Sequence, residues 1–278
     1  MNKKEFRQGT FQGGAPDTVR DAGFYARKRA AELIHGDLSL EDFRALDLTS
    51  ADATASGTSI FDPVLCELAY RWFSAPGYKV LDPFAGGSVR GIVASVLGRS
   101  YTGIELRAEQ VAANKAQAHL ASGPAPVWVC GDSAAIGTHA PGLYDMVFSC
   151  PPYAHLEVYS DDPRDISTMD YPTFRAAYRG IIAETCKLLA PDSFAVFVVG
   201  EVRDKRGNYL NFVGDTVAAF MDAGLSFYNE AILITAVGSL PIRVGKQFAA
   251  SRKLGKTHQN ILVFVKGDGK RAAQRCSA

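Results

Sequence analysis

Lys79-Val80-Leu81-Asp82-Pro83-Phe84-Ala85-Gly86-Gly87-Ser88 is the stretch whose reading decides the fold. An apolar pair runs into a carboxylate, and small residues follow directly. Lys79–Asp82 reads as a short strand, and residues 85–88 as a turn that lets a ligand approach the backbone closely. Residues 91–97 read as a helix whose positive end faces that turn. A glycine turn after a strand also occurs in dinucleotide folds, and it also serves packing alone. A strict Gly-x-Gly-x-x-Gly would need glycine at 86, 88 and 91, and position 88 is Ser.

Working outward, strands and helices alternate. Ser100–Glu105 reads as the second strand and 108–120 as a helix. Val127–Cys130 and 145–149 read as two further strands. A long helix over 171–189 carries Phe174, Ala177, Tyr178, Ile181 and Ile182 on one side. Then come a strand at 194–199, a helix at 212–223, and strands at 230–235 and 260–266. Upstream, Asp62 can cap a helix and Pro63 suits its first turn. Leu65, Leu68, Ala69 and Trp72 then predict its buried face. Such alternation implies an α/β fold with a mostly parallel sheet covered on both faces. Ligands in these folds lie beyond the carboxyl ends of the strands, so the informative residues are those just after strands.

Three carboxylates occupy such places. Asp82 ends the first strand and Glu105 the second, and Asp132 follows the third in Cys130-Gly131-Asp132-Ser133. Glu105 can accept hydrogen bonds from both hydroxyls of a ribose, and Asp132 from the exocyclic amine of an adenine. Together with the small-residue turn they match an adenosine carrying a cationic tail. Singly, each is equally a loop residue or a helix cap. After the fourth strand stands Ser149-Cys150-Pro151-Pro152-Tyr153. Two prolines remove two donors and fix two φ angles, giving a stiff turn. Such a turn holds a polar group and an aromatic ring in one geometry, as an edge and a face for a flipped base require.

The bulk properties are compatible with this. The 278 residues are 47% hydrophobic and 21% charged, with a net charge of +1. Nucleic-acid contact therefore needs a local patch. Five cysteines, at 66, 130, 150, 186 and 276, show no Cys-x-x-Cys pair, which argues against a disulfide framework or zinc site and for a reducing cytoplasm. The polar start of the chain is unlike a secretory signal, and no apolar run reaches about 18 residues.

The chain resembles the S-adenosylmethionine-dependent amino-methyltransferases of DNA. Their [Asp/Asn/Ser]-Pro-Pro-[Tyr/Phe/Trp] motif stands here as Cys150-Pro151-Pro152-Tyr153. Their Asp-Pro-Phe-x-Gly-Ser-Gly motif is similar to Asp82-Pro83-Phe84-Ala85-Gly86-Gly87-Ser88, with Ser88 at the second glycine. Residues 258–266, His-Gln-Asn-Ile-Leu-Val-Phe-Val-Lys, are similar to their last strand. The likeness covers roughly residues 58–266 and extends to small methylases of bacteriophage genomes. It implies a Rossmann-like class I methyltransferase fold: a seven-stranded sheet with an antiparallel last strand. It implies S-adenosylmethionine as methyl donor, with Asp82 and residues 84–88 near its methionine end, Glu105 at the ribose and Asp132 with Ser133 at the adenine. It implies no metal.

Cys150 departs from the family, because a thiol is a poor acceptor for the target amine. Either the Cys150 carbonyl, helped by Ser149, takes that role, or the chemistry is methylation at carbon 5 of cytosine. There a thiolate adds to carbon 6, and Glu201, beyond the next strand, would bind the ring. Carbon-5 enzymes use Pro-Cys-Gln, which favours the amino reading.

Between the last two strands, residues 237–259 hold Arg243, Lys246, Arg252, Lys253 and Lys256, no acidic residue, and interleaved Phe248 and His258. This reads as a basic loop for DNA phosphates, or as a solvated loop. Residues 157–165 read as an acidic, mobile flap near the base. The expected organisation is an arm and helices over 1–58, a methyltransferase domain over 59–268 and a disordered tail over 269–278. With no separate recognition domain, the N-terminal segment, the basic loop or a second subunit of a homodimer must read the DNA. Methylation of a protein glutamine and an inert adenosine-binding module are the competing classes.

Overall fold

The computed structural model describes residues 61–234 and 240–277. The expected N-terminal arm and helices lie outside them, as do Thr235 and the side chain of Arg243. The chain divides into two compact units, one of residues 1–50 with 236–257, the other of 51–235 with 258–278. No described helix is long and apolar enough to cross a membrane.

In the larger unit the elements follow in the order α1 (Pro63–Phe73), β1 (Lys79–Asp82), α2 (Val89–Val96), β2 (Ser100–Glu105), α3 (Ala108–Ala116), β3 (Val127–Cys130), α4 (Ile136–His139), β4 (Tyr144–Ser149), α5 (Tyr171–Leu188), β5 (Leu189–Val199), α6 (Phe212–Asp222) and β6 (Ser226–Ile234). After the smaller unit's α7 (Leu240–Ser251) come β7 (His258–Lys266) and α8 (Gly269–Cys276). The seven strands form one sheet in the order β3-β2-β1-β4-β5-β7-β6. β7 runs antiparallel to both of its neighbours, and the other pairings are parallel. The chain moves outward from β1 through β2 to β3, then returns to the other side of β1 with β4. The crevice beyond β1 and β4 is therefore the topological switch point, where ligands bind in such sheets.

Burial explains the strands. Val80, Leu81, Met146, Val147, Phe148 and residues 195–199 are buried on both faces, as continuous apolar runs in parallel sheets must be. The core beside α5 and α6 stacks Phe220 on Phe264 at 4.1 Å between ring centroids. Asp62 caps α1 through Val64 N at 2.8 Å. The buried side of α1 differs from expectation. It is Pro63, Leu65, Cys66, Ala69 and Tyr70, while Leu68 and Trp72 (58% exposed) face outward. Tyr70 outcompetes Trp72 because its hydroxyl finds a buried acceptor, the carbonyl of Arg90, at 2.9 Å.

Two expectations are corrected at the C-terminal side. The segment expected as a disordered tail forms α8. Asp268 caps it through Arg271 N at 2.8 Å, Arg271 pairs with Asp192 at 2.7 Å, and Arg275 reaches Asp145 at 2.8 Å and Ser193 Oγ at 2.6 Å. Ion pairs rather than an apolar stripe hold it, and only Ala272 is buried. The segment expected as a basic loop is largely helix α7. Its Phe248 lies beneath the Arg252 guanidinium at 5.1 Å, and Arg252 ends the turn with φ +55°.

Candidate active site

Asp82 ends β1 with a carboxylate that is 0% exposed. Oδ1 accepts from Phe84 N at 3.0 Å and Ser149 Oγ at 2.6 Å; Oδ2 accepts from Arg90 Nε at 2.6 Å and Tyr101 OH at 2.8 Å. Those four donors fill a carboxylate's four lone-pair directions. Asp82, expected at the methionine end of a cofactor, is instead a buried hub with no acceptor left for a ligand. Its necessity lies in Arg90 of α2, itself 5% exposed, which cannot be buried without a counter-charge. Arg90 also donates to the carbonyls of Phe84 (2.6 Å) and Ala85 (2.9 Å) and lies over the Phe61 ring at 4.7 Å. Burial pulls the Arg90 pKa down and the Asp82 charge pulls it up; the net shift is upward.

Ser149, expected beside the substrate, is also corrected. It is fully buried, and its hydroxyl is committed to Asp82. That bond ties the end of β4 to the end of β1, so the turns at 82–88 and 150–153 leave neighbouring strands at the same end of the sheet.

Within the first turn, Pro83 and Ala85 are buried, and the Phe84 ring packs on Tyr178 and Phe197. Ser88 is 6% exposed and donates to the Gln117 side chain. The accessible part is Gly86-Gly87. Among the described residues, a Cβ added at either would meet nothing within 4 Å, so the described residues leave open space before them. Gly86 has φ +49°, a conformation glycine takes without strain. Its N–H donates to Glu105 Oε2 at 3.0 Å, and its carbonyl accepts from Asn114 Nδ2 at 2.7 Å.

Glu105 is half-buried, and its Oε1 accepts from Arg107 N at 3.0 Å. Burial raises its pKa more than Arg107 and Gly86 lower it. Oε2 carries one backbone bond and keeps a second acceptor direction, whereas Oε1 also faces Arg107 Nε at 3.5 Å. Asp132 caps the short turn Ser133–Ala135 through Ala134 N at 2.8 Å, and Ser133 Oγ donates to the Pro83 carbonyl at 2.5 Å. The third strand end is thereby bonded to the first turn. These residues fit an adenosine with a charged tail: carboxylates at the ends of β2 and β3, and open backbone between them.

Cys150 is half-buried, and its Sγ stands 3.8 Å from Tyr153 OH. Burial raises the thiol pKa, which Arg90 and the Tyr153 bond only partly offset. The Tyr153 hydroxyl accepts from Gln259 Nε2 at 2.9 Å and donates to the Val198 carbonyl at 3.4 Å. Its ring meets Phe212 at 5.9 Å, and a Cβ on Gly200 would come within 3.3 Å of it. Glu201 Oε2 accepts from Phe212 N at 3.2 Å, capping α6.

The segment after the Pro-Pro turn, expected as a mobile flap, is internally braced. Buried Asp165 accepts from Ser167 N, Ser167 Oγ and Ser160 Oγ at 2.7–2.9 Å. Arg107 Nη1 donates to the Tyr159 carbonyl at 3.5 Å, joining this segment to the Glu105 side of the site. Arg164 holds the Asp162 carboxyl at a pKa of about 2, and Arg164 also feels the charge of Asp132.

Of the expected DNA contacts, Lys246 and Arg252 are exposed, while Lys253 and Lys256 are half-buried. All belong to the smaller unit. Arg90, Tyr101, Asn114 and Gln259 escape sequence reasoning. Only Gln259 has a signal there, its place in the 258–266 motif.

No family model matches the chain, and no curated protein matches it by sequence. Among solved structures, a methyltransferase from Pyrococcus furiosus is similar at 14% identity, covering 90% of this chain and 98% of its own, with a TM-score of 0.53. TrmN from Thermus thermophilus is similar at 14% identity over 79% of this chain with a TM-score of 0.51; the chain spans 53% of TrmN's length. The [4+2]-cyclase SpnF is similar at 14% identity, covering 75% of this chain and 82% of its own, with a TM-score of 0.51. At these identities the likeness is one of fold, and the fold is the Rossmann-like class I methyltransferase fold.

Proposed function

We propose that this chain is an S-adenosylmethionine-dependent DNA methyltransferase acting on the exocyclic amino nitrogen of a flipped adenine or cytosine. The observation that carries the proposal is the junction of the two turns. The open Gly86-Gly87 turn and the Cys150–Tyr153 turn leave adjacent strands at the switch point, tied by the Ser149–Asp82 bond.

S-adenosylmethionine supplies, when bound, an electrophilic methyl group on a sulfonium. Glu105 accepts from the ribose hydroxyls, Asp132 from the adenine amine, and the space before Gly86-Gly87 takes the charged tail. The Cys150 carbonyl would accept from the target N–H, which directs the nitrogen lone pair outward and stabilises the positive charge gained as the N–C bond forms and the methyl–sulfur bond breaks, its electron pair leaving on a neutral thioether. The surplus amine proton passes to solvent. Pro151 and Pro152 hold that carbonyl in place and offer no N–H of their own. Tyr153 presents its ring to the base, and Gln259 and Val198 hold its hydroxyl.

The raised thiol pKa argues against the carbon-5 chemistry, which needs a thiolate. Glu201 has a structural occupation as the α6 cap. Mass spectrometry of nucleosides from DNA incubated with the protein and labelled S-adenosylmethionine tests the proposal. N6-methyladenosine or N4-methylcytidine as the deoxynucleoside is the expected product. The 5-methyl product would restore the Cys150 nucleophile. Label on protein alone, or cofactor binding without transfer, would replace the proposal with glutamine methylation or an inert module.

A further inference from the structure

Immediately beyond Gly200 and Glu201 the chain makes a small hairpin that the proposed catalytic roles do not use. Arg203 and Tyr209 pair as an antiparallel bridge, with Asp204 N donating to the Asn208 carbonyl at 2.8 Å and Leu210 N to the Val202 carbonyl at 2.9 Å. The Asp204 carboxylate is turned into the hairpin, accepting from Asn208 N at 2.8 Å, and these backbone bonds lower its pKa. Arg203 is likewise occupied. Its Nη1 donates to the Gly207 carbonyl at 2.7 Å, and its guanidinium lies 3.9 Å above the Tyr209 ring.

The consequence is a rigid tip with an uneven surface. Its one acid is folded inward, and Lys205 and Arg206 are exposed at the end. Tyr209 remains 48% exposed despite its stacked arginine. Two outward cations beside a braced aromatic ring are the combination that grips a nucleic-acid strand: charge for phosphates, a ring face for an unstacked base. The hairpin also stands at the carboxyl end of β5. Gly200, three residues before Arg203, is the residue whose missing Cβ lets the Tyr153 ring approach.

We propose that the 203–209 hairpin is a DNA-binding element of this protein: Lys205 and Arg206 contact phosphates flanking the target nucleotide, and Tyr209 stacks on a base displaced next to it. This rests on the DNA reading of the active site and adds a substrate-holding surface to it.

The test compares the full-length parent with Lys205→Gln/Arg206→Gln and with Tyr209→Ala. Fluorescence anisotropy follows a labelled mixed-sequence duplex and its single strand between about 50 and 200 mM salt. Two lost phosphate contacts reduce the steepness of the log–log salt dependence by about 1.8 and weaken binding about 60-fold near 0.1 M salt. Tyr209→Ala weakens binding roughly tenfold with the salt dependence retained, and Tyr209→Phe restores it. Melting temperature and S-adenosylmethionine affinity by titration calorimetry stay at parental values in all three variants. If the parent binds and methylates DNA while the double variant keeps parental affinity and salt dependence, the hairpin proposal is overturned and the active-site reading stands. If the parent binds only RNA or no nucleic acid, both fall together.

Discussion

Replacing Asp82 by alanine should damage the fold far more than it damages the cofactor site directly. The substitution leaves the Arg90 guanidinium, 5% exposed, without its counter-charge, and it removes the acceptor of the buried Tyr101 and Ser149 hydroxyls. Breaking a buried ion pair from one side costs about 3–5 kcal/mol. Set against a total stability of about 5–15 kcal/mol, that is a large fraction. For a chain of this size each kcal/mol moves Tm by about 2–4 °C, so scanning calorimetry should show a fall of about 6–20 °C. Arg90→Met added to Asp82→Ala removes the stranded charge and should recover at least half of the loss. Glu105→Ala gives the contrast. Burial already opposes that charge, so Tm should shift by less than about 4 °C, while S-adenosylmethionine affinity falls at least about tenfold through lost charged hydrogen bonds. A Tm for Asp82→Ala within about 2 °C of the parent, with cofactor binding abolished, would refute the hub and return Asp82 to the ligand.

Cys150→Ser should retain activity within a few-fold of the parent, because the proposed function gives the amine to the main-chain carbonyl rather than to the thiol. Burial pushes the Cys150 thiol pKa up, so the protonated thiol is favoured at neutral pH. The parental rate should therefore not climb tenfold per unit from pH 7 to 8.5; such a climb, lost in Cys150→Ser, would mark a thiolate reaction. Gln259→Leu frees the Tyr153 hydroxyl and should lower kcat about tenfold without changing cofactor affinity, and Tyr153→Phe should not add to it if both act through one bond. Gly91→Ala drives a Cβ to 2.7 Å from Trp128 Cζ2 and 3.0 Å from the Tyr101 ring, an overpacking worth about 1–3 kcal/mol in denaturant unfolding.

What was legible in the sequence follows from which forces are local. β1, β2 and β3 lie at the expected residues, β1 and β2 ending in Asp82 and Glu105 and β3 two residues before Asp132, because short strands broken by turn-forming and charged residues leave a local signal. β6 begins at Ser226, four residues before the expected 230, because its edge position leaves most of its side chains exposed and blurs the apolar signal. The tail helix α8 shows no apolar stripe, being held by arginines to Asp192 and Asp145, more than 75 residues earlier in the chain. Asp82 illustrates the same limit at the site. A carboxylate at a strand end looks identical in sequence whether it meets a ligand or a buried arginine, and Arg90 reads there as an ordinary helix cation. The Cys150–Tyr153 turn was legible because prolines dictate backbone geometry by themselves.

Fold likeness and chemistry separate at this crevice. This chain is similar in fold to the [4+2]-cyclase SpnF as well as to a methyltransferase, so a switch-point cleft alone does not choose a reaction. In the proposed function the choice rests on particular groups at the ends of the central strands. Here those are the proline-stiffened carbonyl of Cys150, and a tyrosine held from two other strands by Val198 of β5 and Gln259 of β7. Because Ser149 precedes Cys150 directly and hangs from Asp82, the position of that carbonyl is set by the same buried carboxylate that orients Arg90 under the first turn. A perturbation of the hub must then displace the proposed cofactor turn and the proposed base-holding turn together. Variants at Asp82, Arg90 and Ser149 should accordingly lose cofactor affinity and turnover in proportion, whereas variants at Glu105 or Tyr153 should lose one without the other.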